Sequence, residues 1–240
     1  MRLSRLLPPT LLIALAACGP RPDPQAAAQA AAQAKAQQDA AAAEDMARQA
    51  EAAIASENWT LARAHCDVLG FRHPGSDALK RLATQCADAK SRADAQAKTA
   101  RLQGLWSYQT QPVGKGRQLN ASIYSKDAID TGAGRSHVRL IFRDHPEWGR
   151  SSYLVLDNGD FDCYGGCRLK LDVDGKPRTM AGSRPKTDEA IAMFIEDERG
   201  LWRTARGAQT ITIRVPLKGA PAQDAVFEVG GLDPERMPGW

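Results

Sequence analysis

The side chains able to do chemistry are scattered along these 240 residues, and no set that catalysis requires is assembled in the sequence. No serine sits in a Gly-x-Ser-x-Gly elbow; Ser136, Ser151 and Ser183 all have the wrong neighbours. The histidines at 65, 73, 137 and 145 form neither a His-Glu-x-x-His motif nor a pair at the spacing of a zinc half-site. Gly132-Ala133-Gly134-Arg135 and Gly114-Lys115-Gly116 lack the rest of a phosphate loop and read as loops between strands. Asp157, Asp160 and Asp162 surround Asn158-Gly159, but a calcium loop needs oxygen ligands at alternating positions closed by a bidentate Glu. Gly159 and Phe161 interrupt that pattern, so the cluster reads as turn chemistry. Asp172 and Asp174 read the same way, and Glu196-Asp197-Glu198 as a solvated loop. The expectation is a protein with no enzymatic activity, no metal and no cofactor.

Composition narrows the partners. Lys and Arg number 32 against 28 Asp and Glu, a formal charge of +4. That is too balanced for a nucleic-acid footprint. From Gly104 onward basic and acidic residues number 19 and 18 and are interspersed, as on a solubilising surface. Nucleic acid is therefore not an expected partner.

The chain opens with a basic head, Arg2 and Arg5, followed by the apolar run Leu11–Ala17. A run this short cannot cross a bilayer as a helix, which needs about 20 residues, and reads as the core of a signal peptide. Leu15-Ala16-Ala17-Cys18 resembles the lipobox of bacterial lipoproteins. The resemblance implies removal of residues 1–17, a diacylglycerol thioether on Cys18, and acylation (palmitate-type chains) of the new amino terminus. At roughly 0.8 kcal/mol per buried CH₂, three acyl chains hold a protein on its membrane permanently. Gly19 stands where inner-membrane retention would place Asp, so the resemblance implies the outer membrane, facing the periplasm.

With Cys18 lipidated, an even four cysteines remain for an oxidising compartment, and four allow three pairings. Cys163 and Cys167 flank Tyr-Gly-Gly, and the two glycines permit the chain reversal that brings bridged Cα atoms within about 7 Å. Cys66 and Cys86 lie in helix-like sequence on either side of a turn. The expected bridges are Cys66–Cys86 and Cys163–Cys167.

Behind these residues stand four zones after the signal. Residues 18–43 comprise the lipid anchor, a tether with Pro at 20, 22 and 24, and an Ala/Gln tract with Ala at 12 of the 18 positions from 26 to 43. The tract has high helix propensity but no apolar stripe, and reads as a spacer. Residues 44–103 show helical periodicity through Met46, Ala50, Ala53 and Ile54, then Trp59, Leu61, Ala62, Cys66 and Leu69. After the turn at His73-Pro74-Gly75, with Ser76 as cap, Leu79, Leu82, Ala83 and Cys86 continue on one face. Trp59, Ala62, Leu69 and Pro74 resemble a tetratricopeptide unit over about one repeat. A binding groove needs about three repeats, so the family's peptide-holding role does not follow.

Residues 104–240 hold 12 of the 14 aromatic residues and change to period two. Strands are expected at Leu105–Gln111, Gln118–Ser125, His137–Arg143, Ser152–Leu156, Phe161–Cys163, Cys167–Asp172, Ala190–Ile195, Thr210–Leu217 and Ala225–Val229. Hairpin turns are expected at Asn158-Gly159 and Asp174-Gly175, and a short helix around Leu201–Arg206. No βαβ rhythm is present. The fold class is α+β, a helical stalk and bundle followed by a mostly antiparallel β-sandwich or flattened barrel.

Trp106, Tyr108, Trp148, Tyr153, Tyr164 and Trp202 include the candidates for a contact surface, among them Tyr164, Trp106 and Trp148. Tyr164 stands out, because in a small disulfide-closed loop its side chain has little core to reach. The function expected is protein–protein recognition by a non-enzymatic outer-membrane lipoprotein. Two narrower alternatives are an immunity lipoprotein against a cell-wall-degrading toxin and an accessory lipoprotein of an envelope or secretion complex.

Overall fold

The computed structural model describes residues 23–185 and 192–240. Residues 1–17, expected to form a signal peptide, Cys18 and the first two residues of the strand expected at Ala190–Ile195 lie outside the described residues. The chain forms two compact units, divided between Lys90 and Ser91.

The first unit is helical. α1 (Pro24–Ala55) starts at Asp23, whose carboxylate accepts from the Gln25 N–H at 2.9 Å, with Pro24 in the first turn. Residues 24–42 are exposed on every side of this helix, and burial begins only with Ala43, Ala47, Ala50 and Ala53. That spacing is one helical stripe. α2 (Trp59–Arg72) is capped by Asn58 and buries Ala62, Cys66 and Leu69. α3 (Asp77–Gly104) follows a turn in which the Ser76 hydroxyl accepts from the Leu79 N–H. Leu82 is buried with the α1 and α2 stripes, and the Cys66–Cys86 disulfide joins α2 to α3. Arg81 grips both oxygens of Glu44 at 3.0 and 2.9 Å.

The second unit takes the rest of α3 and an antiparallel sheet. Its strands are β1 (Trp106–Val113), β2 (Gly116–Tyr124), β5 (Val138–His145), β6 (Gly149–Leu156), β7 (Cys167–Val173), β8 (Lys176–Ser183), β9 (Ala192–Ile195), β10 (Ile211–Leu217) and β11 (Ala220–Phe227), with a minor hairpin of β3 (Ile129–Asp130) and β4 (Arg135–Ser136). The nine main strands pair in the order β1-β2-β5-β6-β9-β8-β7-β10-β11. Alternate residues of the strands converge on one core, for example Ile123, Leu140, Phe142, Leu154, Leu171, Ile213 and Phe227. Two bonds tie the β1–β2 end of the sheet to the β11 end around it. The Lys126 N–H donates to the Val226 carbonyl at 2.7 Å, and the Trp106 indole N–H to that of Val229 at 3.3 Å. The architecture is α+β, with a β-sandwich-like domain after the helices.

α4 (Glu198–Gly207), capped by Asp197, lays Leu201, Trp202 and Ala205 against this core. Phe142 lies at its centre, with the Trp106, Trp202 and Trp240 rings at 6.2, 5.0 and 5.5 Å. Gly231 passes so close to α3 that a Cβ there would lie 2.2 Å from the Leu102 carbonyl carbon, which leaves glycine as the residue that fits.

Several expectations need correction. Phe161–Cys163 is no strand; Phe161 makes a single bridge to Leu217, and the flanking backbone bonds around the end of β10. Asn158-Gly159 is not a hairpin tip. The Asn158 side chain instead pins the β3–β4 loop, accepting from the Thr131 hydroxyl and donating to the Arg135 carbonyl. β8 was not expected, because Lys176–Ser183 has no apolar alternation. Its register is imposed by the two-residue turn Asp174-Gly175, whose φ values of 50° and 81° match a type I′ turn between Val173 and Lys176. β11 begins at Ala220, five residues before the expected Ala225.

Candidate functional site

A solvated sheet face is normally polar. The outer face of β2, β5, β6 and β9 instead mixes large aromatic and apolar side chains with polar ones. Pairing sets its rows: Tyr124, Arg139, Val155 and Ala192 lie side by side, as do Ser122, Ile141, Tyr153 and Phe194, and then Asn120, Arg143 and Ser151. Ile141 is only 7% exposed although it points away from the core, beneath its row neighbours. The Tyr153 and Phe194 rings pack at 5.3 Å.

Two guanidiniums stand over these rings. Arg143 lies 5.4 Å from both the Trp148 and the Tyr153 ring, and its Nε donates to the Ser151 hydroxyl at 3.1 Å. Arg139 lies 5.7 Å from Tyr124. Such contacts hold a cation in place without neutralising it. Neither arginine has a carboxylate within ion-pair distance among the described residues. Burial pushes the Tyr153 phenol above its ordinary value, and the charges of Arg143 and Arg139 pull it only part of the way back.

Trp148 rises from the β5–β6 turn and is 70% exposed. It is nonetheless fixed, because its ring stacks on the buried His145 ring at 4.0 Å with 8° between the planes. His145 is held in turn by its Nδ1, which accepts from the backbone N–H groups of Glu147 and Trp148. A large aromatic held flat beside an arginine is the composition of a binding hot spot. On the same side of the domain, His137 Nδ1 donates to the Ser125 carbonyl, and neither imidazole is hydrogen-bonded to a carboxylate among the described residues.

The other candidate aromatics go elsewhere. Trp106 is core: it faces Ile123 across the β1–β2 ladder, is 6% exposed, and stacks on Phe142. Trp202 is also buried, and the Tyr108 hydroxyl accepts from the Asp233 N–H. Tyr164 does sit in a disulfide-closed loop, with Cys163 bonded to Cys167 and Gly165 and Gly166 at positive φ. It is less available than its loop suggests. Its hydroxyl donates to Asp160, and the Arg184 guanidinium lies 4.6 Å from its ring. The Arg184 side chain is 4% exposed and pairs with the same carboxylate. Burial raises the Asp160 carboxyl, but the hydrogen bonds from Tyr164, Arg184 and the Phe161 N–H outweigh it and hold the group below the ordinary Asp range. Asp160 thus ties a loop down. Among the described residues no group of three or more His, Cys, Asp or Glu side chains is arranged to hold a metal ion.

Arg139, Arg143, Tyr124 and Phe194 escaped sequence reasoning. Arg143 and Tyr153 are ten residues apart and meet diagonally across a hairpin, so only the register brings them together. No family model matches the chain, and no curated protein or solved structure shows significant similarity to it.

Proposed function

We propose that this chain is a non-enzymatic recognition protein of the bacterial envelope, anchored through lipid on Cys18 to the outer membrane and facing the periplasm. It would bind a partner protein with the outer face of β2-β5-β6-β9. The address rests on the lipobox-like Leu15-Ala16-Ala17-Cys18 and is supported by the pairing of the other four cysteines. The recognition reading rests on one observation, the two arginines that lie over aromatic rings with no carboxylate within ion-pair distance among the described residues. An acidic partner segment would supply the missing carboxylates to Arg139 and Arg143 and lay an apolar side chain on Trp148 and Phe194. Arginine favours such planar, two-pronged pairing with carboxylates.

The test is a photo-crosslinker placed at Trp148 in the anchored full chain, with a second at Arg214 on β10 for comparison. A single partner is expected from position 148 and not from 214. The yield should fall about tenfold or more when Arg139 and Arg143 both become Gln. Equal labelling from both positions, or yield indifferent to the arginines, would overturn the reading. A cell-wall hydrolase as the partner would specify the immunity role, and a component of an envelope complex the accessory role.

A further inference from the structure

A second surface of the same domain lies away from those rows, between the β7–β8 hairpin and α4. Past the turn at Asp174-Gly175, Lys176, Arg178 and Met180 alternate on the face of β8 whose ladder partners include the core residues Leu171 and Leu169. On the neighbouring strands β7 and β9 that face carries the apolar side chains Leu169, Leu171, Met193 and Ile195. Here it carries two cations instead. α4 supplies the opposite wall with Gly200, Arg203, Thr204 and Gly207, a spacing of three, four and seven that forms one helical stripe. At one end of the stripe Gly207 leaves open space, at the other Gly200 packs against the Asp197 carboxylate, and the cleft has a volume of about 490 Å³. That volume falls within the range of small-molecule sites.

Its electrostatics are unbalanced. Lys176, Arg178 and Arg203 all line the cleft, and none has an ion-pair partner among the described residues. The two carboxylates in its wall are turned to backbone amides. Asp174 accepts from the N–H groups of Gln209 and Thr210, and Asp197 caps α4 through the Gly200 N–H. Val173 and Met180 add an apolar patch between the cations. Three cations against these two carboxylates leave the lining with a formal excess of one positive charge, which favours an anion in this concave, partly apolar space.

We infer that this cleft binds a small phosphorylated ligand, its phosphate held by Lys176, Arg178 and Arg203 and its apolar part resting on Val173 and Met180. Two sources share that chemistry, a soluble phosphate ester and the headgroup of an anionic phospholipid in the membrane the chain is proposed to occupy. The inference does not depend on the recognition face or on the lipid anchor.

The test titrates the isotopically labelled full chain with inorganic pyrophosphate and follows the amide resonances of Gly200, Thr204 and Gly207. In parallel the non-acylated chain, residues 19–240, is sedimented with phosphatidylglycerol-containing vesicles and with purely zwitterionic ones, so that retention cannot come from an acyl anchor. Saturable shifts at those three amides are expected, or retention on the anionic vesicles alone. Either should weaken about tenfold in Lys176→Gln/Arg178→Gln and in Arg203→Gln. Arg214→Gln, outside the cleft, should leave both unchanged. Pyrophosphate shifts without vesicle retention assign a soluble ligand, and cleft-dependent retention assigns the headgroup. All the substituted side chains carry exposed charges, and unchanged melting temperatures verify that the variants fold. No saturable response in either arm, or an equal loss in Arg214→Gln, would overturn the inference.

Discussion

Replacing both Cys66 and Cys86 by Ala should do more damage to the helical unit than its contacts suggest. The bridge closes a loop with a sequence separation of 20. Chain-entropy scaling gives such a cross-link about 3.3 kcal/mol, against about 1.9 kcal/mol for the Cys163–Cys167 loop, whose separation is 4. The unit has little else to draw on. Its buried side chains are mostly alanine, with Leu69 and Leu82 the large ones. Alanine returns little on burial when each CH₂ contributes about 0.8 kcal/mol. The assay is urea unfolding followed by far-UV circular dichroism on the full chain, parent against double variant. With denaturant slopes of about 1–3 kcal/mol/M for units of this size, the helical midpoint should fall by about 1–3 M. The sheet transition, read by intrinsic tryptophan fluorescence, should stay where it was. A helical midpoint within about 0.5 M of the parent would refute the argument that the cross-link, rather than the alanine stripe, holds these helices together.

Phe142→Ala should destabilise the sheet domain by about 3–5 kcal/mol, because it empties the centre of the Trp106, Trp202 and Trp240 cluster. Calorimetry and the tryptophan emission maximum check this, and a loss below about 1 kcal/mol would contradict the packing. Asp160→Asn should cost about 2–3 kcal/mol near neutrality, since it leaves the buried Arg184 without its counter-charge while Asp160 itself is partly exposed. The Asp160 carboxyl is depressed on folding, so its contribution is present above the unfolded value of about 3.9 and fades as pH falls below it. The parent's melting temperature should therefore drop more steeply below pH 4 than that of Asp160→Asn, and parallel curves would exclude the ion pair as the cause. Gly175→Val should loosen the β7–β8 hairpin by about 1–2 kcal/mol, because a β-branched residue would have to take φ of 81°. Faster amide exchange in β8 reports it.

The α+β order, most strand positions and both disulfide partnerships could be read from residue order, because periodicity, turn dipeptides and cysteine spacing are local signals. What failed was non-local. β8 has no pattern of its own and takes its place from the turn before it and the strand beside it. Asn158-Gly159 has hairpin composition, yet its side chain is used by Thr131, 27 positions earlier. Trp106 looked available until strand parity placed it opposite Ile123, inside. Trp148 was visible as a candidate, but the feature that makes its surface unusual was not. Arg139 and Arg143, without carboxylate partners among the described residues, can be recognised only once the register shows which side chains stand beside them.

The chemical state of the native polypeptide, read by intact-mass analysis of protein extracted from the cell envelope, tests the proposed envelope address most directly. The expected species begins at Cys18, carries the added mass of a diacylglycerol and an acyl chain, and resists alkylation at Cys66, Cys86, Cys163 and Cys167 until reduced. A soluble chain that retains residues 1–17 and alkylates at all five cysteines without reduction would contradict it.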